Sequence, residues 1–143
     1  MTGDARPALT GLCPLLSVYD MPRAKSFYRD RLGFELVHQS PEIDAAEGRY
    51  FHWAHLRRGP AEPMLNTAYD ANERPAAIDA TRGAGHRDVC LYIGCADVDA
   101  AYADLIAHGV SADPPKDAPY GMRQFFVTDP DGYVLAFQAP VTA

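Results

Sequence analysis

The sequence predicts an α+β protein in which one unit, strand–helix–three strands, is written twice in tandem (βαβββ-βαβββ). Three observations carry that expectation. An apolar run, an aspartate, a helical stripe and a glycine recur with a period of about 75 residues. Both helical stripes have start and stop signals of their own. Asp129-Pro130-Asp131-Gly132 is a turn signature between two strand-like runs, with proline at the second turn position and glycine where φ must be positive.

Taken in order, the first strand is the apolar run Leu12–Val18. Asp20 then offers an N-cap, Pro22 sits in the first turn, and Met21, Ala24, Phe27, Tyr28 and Leu32 form one stripe that ends at Gly33. Strand-like segments follow at Phe34–Gln39, Tyr50–Leu56 and Met64–Ala68, the last two separated by Arg58-Gly59-Pro60. Tyr69–Gly85 has little apolar periodicity and reads as a linker. The second unit opens with Val89–Ile93. Asp97 caps a stripe of Val98, Ala101, Tyr102, Leu105 and Ile106, and Gly109 stops it. Val110–Ala112, Arg123–Thr128 and Tyr133–Gln138 complete the unit. The 143 residues thus read as one domain, with modules at about 9–68 and 86–140 and a linker at 69–85.

Composition narrows the function. Hydrophobic residues make up 48% and charged residues 22%, a globular balance that excludes disordered, collagen-like and coiled-coil chains. The net charge of −6 argues against nucleic acid as the main partner, because phosphate contacts need clustered Lys and Arg. Cys13, Cys90 and Cys95 are odd in number and lack metal-finger spacing, so reduced thiols in a reducing compartment are expected. No run approaches the ~18 apolar residues of a membrane span, and residues 1–7 have no apolar targeting core. A soluble, cytoplasmic protein is expected.

The motifs resemble a known family. Leu16-Ser17-Val18-Tyr19-Asp20-Met21, Phe27-Tyr28 and Leu32-Gly33-Phe34-Glu35 are similar to the opening module of the vicinal-oxygen-chelate superfamily. That superfamily embraces glyoxalases, bleomycin-resistance proteins and extradiol dioxygenases. Asp97-Val98-Asp99-Ala100-Ala101-Tyr102, Pro119-Tyr120-Gly121-Met122-Arg123 and Asp129-Pro130-Asp131-Gly132-Tyr133 resemble its second module. The resemblance implies that each unit curls its sheet into a cup with the helix outside, and that a homodimer forms. Strand alternation then assigns the faces. His86, Asp88, Cys90 and Tyr92 share the cup side of the fifth strand, and Val134, Ala136 and Gln138 that of the last.

Metal-using relatives place ligands on four strand positions, because a divalent ion needs converging N or O donors. By local register those positions hold Cys13, Asn66 (or Leu65, one register away), Asp88 and Ala136. Alanine coordinates nothing, so no metal and no cofactor are expected, and the metal-free bleomycin-resistance branch is the nearer likeness. A shifted site through His86, giving a metal-dependent lyase or dioxygenase, is the alternative. His52 and His55 fall on opposite faces of a strand, and the thiols of Cys13 and Cys90 are read as packing rather than nucleophiles. Tyr92, Tyr120 and Arg123 are candidates to stack on a ligand or clamp it, and Trp53 could add a further aromatic surface. The expected function is therefore sequestration of a small molecule.

Overall fold

The computed structural model describes residues 6–45, 48–70 and 72–141. Its strands are β1 (Leu15–Val18), β2 (Glu35–Gln39), β3 (Ile43–Ala45), β4 (Gly48–Tyr50), β5 (Trp53–Arg57), β6 (Met64–Thr67), β7 (Cys90–Gly94), β8 (Lys116–Asp117), β9 (Met122–Thr128) and β10 (Val134–Pro140). The helices are α1 (Met21–Ser26, running on as a π turn over Phe27–Arg31), α2 (Ala80–His86) and α3 (Val98–Ala107).

Both halves form a four-stranded mixed sheet of one topology, β1-β6-β5-β2 and β7-β10-β9-β8. In each, the first strand lies parallel to the last and the other pairings are antiparallel. The strand–helix–three strands unit is present twice.

The two long helices start and stop where their signals stand. The Asp20 carboxylate accepts the Arg23 N–H at 3.2 Å and the Asp97 carboxylate accepts the Ala100 N–H at 3.0 Å, each satisfying a donor that a helix start leaves open. Gly33 at φ +77° and Gly109 at φ +89° end them in a conformation that costs a side chain strain. One face of each helix is buried: Met21, Ala24 and Tyr28 from the first, Val98 and Leu105 from the second. These pack with Leu16, Val18, Leu65, Phe125, Leu135 and Phe137 into one core spanning both modules. Removing a leucine of this kind from water is worth roughly 1.5–3 kcal/mol. Ile106, expected on the buried stripe, is exposed.

The modules are riveted by the Asp129–Gly132 turn. Tyr28 Oη donates to Asp129 Oδ2 at 2.7 Å, and Asp131 Oδ1 accepts the Tyr19 N–H at 2.7 Å. The Tyr133 hydroxyl accepts from the Ser17 N–H and donates to the Ser17 carbonyl, both at 3.1 Å.

Four local expectations are corrected. Tyr50–Leu56 is not one strand: Tyr50 closes an unforeseen β3–β4 hairpin, and buried Phe51 separates it from β5. Val110–Ala112 is not a strand. Pro114 and Pro115 lack the N–H a ladder needs, and pairing resumes for two residues at β8. The linker contains α2, capped by Asp79. Val89 precedes β7 rather than opening it.

Candidate functional site

Because side chains alternate across a strand, the face of each sheet turned away from its helix is fixed by register. On the second sheet that open face has three rows. Cys90, Val134 and Thr128 form the first, and Tyr92, Ala136 and Phe126 the second. Gly94, Gln138, Gln124 and Lys116 form the third. Tyr92 and Phe126 are 56% and 47% exposed, while Ala136 between them is fully buried. Two strand spacings put the outer backbones ~10 Å apart. Aromatic rings pair at centroid separations of about 4.5–7 Å. Ala136 is covered by its neighbours, so a planar group on this face would rest against the exposed Tyr92 and Phe126 rings.

The third row is polar and ordered. Tyr120 Oη donates to Gln124 Oε1 at 3.0 Å, and Gln124 Nε2 donates to Gln138 Oε1 at 2.8 Å. At the opposite end of the face, burial pushes the half-buried Cys90 thiol above its ordinary pKa, which keeps it protonated and a poor nucleophile.

The first sheet's open face carries Leu15 and Ser17, Met64 and Asn66, Trp53 and His55. The His55 ring stacks with His38 at 5.9 Å between centroids and lies 6.3 Å from Trp53, while its Nε2 approaches Glu62 Oε1 at 3.2 Å. This surface is aromatic and apolar with few fixed charges. A groove of about 510 Å³ between the β5–β6 turn and α3 lies elsewhere, lined by Phe34, Arg58, Cys95 and Leu105.

The structure brings Cys90, Tyr92, Ala136 and Gln138 together on one face, with Tyr120 reaching it from the β8–β9 loop, and Asn66 on the corresponding face of the other sheet. It separates the remaining expected residues. Cys13 lies exposed in the extended segment before β1, since pairing starts only at Leu15. Asp88 sits exposed in the turn before β7. His86 closes α2, where its ring stacks on Tyr133 at 4.0 Å and its Nδ1 pairs with the Asp131 carbonyl at 2.7 Å. Arg123 falls between open-face residues, so it turns toward α3 and pairs with Asp99 at 2.8 Å and Asp117 at 3.0 Å. These carboxylates raise the guanidinium's pKa and leave no free anion clamp.

Residues 12–137 match the Glyoxalase/Bleomycin resistance protein/Dioxygenase superfamily. The chain belongs to that superfamily. Among solved structures, an antibiotic binding protein from Streptomyces sp. CB03234, TnmS3, is 28% identical with a TM-score of 0.64, over 95% of this chain and 99% of the other. A glyoxalase/bleomycin resistance protein from the same organism is also 28% identical, with a TM-score of 0.60, over 91% of this chain and 100% of the other. The bleomycin-binding protein of Streptomyces verticillus, complexed with copper(II)-bleomycin, shares the fold at 22% identity and a TM-score of 0.65, over 96% and 100% of the two chains. No curated protein sequence matches the chain.

Metal-using members of the superfamily need converging donors, and the residues present do not fit that demand. Of the four strand positions, Ala136 has no donor atom, and Cys13 and Asp88 lie outside the strands. Among the described residues no group of three His, Cys, Asp or Glu side chains is placed to hold an ion. Phe126, Gln124, His38 and Met64 escaped the sequence reading. Phe126 and Gln124 could have been found by carrying the alternation of β10 across the Asp-Pro-Asp-Gly turn; His38 could not, since its face is set by a bulge between Leu36 and His38.

Proposed function

We propose that this superfamily member binds and sequesters a flat small molecule, without a metal, as a cytoplasmic homodimer. The Tyr92–Ala136–Phe126 row carries the reading: two exposed rings flank an alanine at the position where metal-using relatives place a carboxylate. The description of TnmS3 as an antibiotic binding protein supports an antibiotic-like ligand. Three free cysteines support a reducing compartment, and no helix among the described residues is long and apolar enough to cross a membrane. Exposed apolar residues on the open faces, Leu15 and Tyr92 among them, support a second copy covering them.

The test uses protein purified without a metal-affinity tag. Elemental analysis is expected to find Fe, Ni, Zn and Mn far below one per chain, with planar aromatic antibiotics retained in equilibrium dialysis. Replacing Phe126 by Ala, which removes one of the two exposed rings, should weaken retention at least tenfold while far-UV circular dichroism is unchanged. A stoichiometric metal ion bound with high affinity overturns the reading.

A further inference from the structure

The hydrogen-bonded side chains of the third row have a direction. Tyr120 donates into Gln124 and Gln124 donates into Gln138, so both amide carbonyls are committed as acceptors inside the chain. What emerges is the Gln138 Nε2 group, which has no partner among the described residues and is not a buried orphan. It is a donor presented to the open face.

The donor is held in place. Gln124 is 6% exposed, and its backbone pairs with strands on both sides, opposite Gln138 on one and Lys116 on the other. Accepting the Gln124 N–H fixes the Gln138 amide plane, which lowers the entropy lost when Nε2 meets a ligand. On the far side of Gln138 the row continues with Gly94, where an added Cβ would meet nothing within 4 Å. Space therefore lies beside the donor, one residue pair along from the Tyr92–Ala136–Phe126 row.

Resting on the binding function proposed above, we propose that the Tyr120–Gln124–Gln138 chain selects the ligand: it takes planar molecules carrying a carbonyl-type acceptor at one end, and disfavours those of equal shape that lack it. Discrimination comes from the unpaired donor. A ligand without the acceptor strips water from Gln138 Nε2 and gives nothing back, which is how a site built to hydrogen-bond rejects an isostere. Tyr120 acts as a positioning residue through Gln124 and need not touch the ligand.

Two probes of one shape test this: 2-acetylnaphthalene and 2-isopropenylnaphthalene, in which a methylene replaces the carbonyl oxygen. In equilibrium dialysis the full chain is expected to hold the ketone about tenfold more tightly than the alkene. Gln138→Leu should bring that ratio to about one by weakening the ketone and leaving the alkene within about twofold. Tyr120 is 66% exposed in a loop, so Tyr120→Phe leaves the fold alone and should lower the ratio to about threefold. It carries the test by itself if Gln138→Leu aggregates. Both probes bound equally by the unaltered protein overturns the selection while leaving sequestration standing, as does a ratio that Gln138→Leu and Tyr120→Phe both leave unchanged. Retention of neither probe at millimolar concentration overturns the binding function and this inference with it.

Discussion

Two adjacent carboxylates, Asp129 and Asp131, are buried in a single turn, and burial raises the pKa of both, that of Asp131 to about 6. Asp131 faces the backbone N–H of Tyr19, the charge of Asp129, and the side chains of His86 and Arg23. In an unfolded chain its carboxyl titrates near ~3.9. The folded form therefore holds the proton that the unfolded form has released between about pH 4 and 6. The stability this contributes is complete below pH 4 and is lost as pH rises through 6. The melting temperature of the wild type is expected to drop between pH 5 and 7.5. Asp131→Asn keeps an acceptor for Tyr19 and should flatten that profile; a profile of unchanged slope would falsify the assignment. Beside it, Tyr28→Phe leaves the buried Asp129 Oδ2 without its donor, an expected loss of about 1–3 kcal/mol in chemical denaturation.

Helix α2 has no buried residue, so its attachment rests on surface contacts, chief among them those with the module-two turn, where His86 Nδ1 also pairs with the Asp131 carbonyl. The His86 ring lies flat on Tyr133, and Gly132, at φ +89°, passes so close to Gly83 that a Cβ there would sit 2.5 Å from the Gly83 carbonyl. His86→Ala should let α2 open locally, seen as faster tryptic cleavage at Arg82 and Arg87 with little change in the global midpoint. Gly132→Ala should cost roughly 2 kcal/mol or more, since it combines a forbidden φ with a backbone clash. The same facts explain what could be read in advance. Asp20, Pro22, Gly33, Asp97 and Gly109 act within a turn of their own position, so α1 and α3 were legible. Helix α2 was not: Gly83 and Gly85 are poor helix formers, and the surface the helix packs against is a turn almost fifty residues away. The site was half legible for a similar reason. Alternation correctly put Cys90 with Tyr92, and Ala136 with Gln138, on shared faces. Extending it past the strand ends misplaced Cys13, His86 and Asp88, because where a ladder stops is decided by its neighbour.

At the scale of the whole molecule, apolar surface is left over. Leu9 and Leu12 are 94% and 89% exposed in the segment before β1, and Tyr92 and Phe126 stand open on the second sheet. Sedimentation at micromolar concentration is expected to show two chains per particle, and Tyr92→Asp should shift the population toward one. A single chain per particle in the unaltered protein argues against the dimer. The division of labour between the sheets has a further consequence. Every ladder in either sheet pairs strands from the same half of the chain, and the seam between halves is made by side chains: the shared apolar core, the Asp129–Tyr133 turn with Ser17, Tyr19 and Tyr28, and Arg31 and Arg58 reaching Gly109 and Asp104. Peptide continuity through Asn72, which adopts φ +71° in the connection, is then a tether rather than a structural member. Co-expressed fragments 1–72 and 73–143 should find one another and restore the complete particle, making the protein a natural starting point for a split reporter.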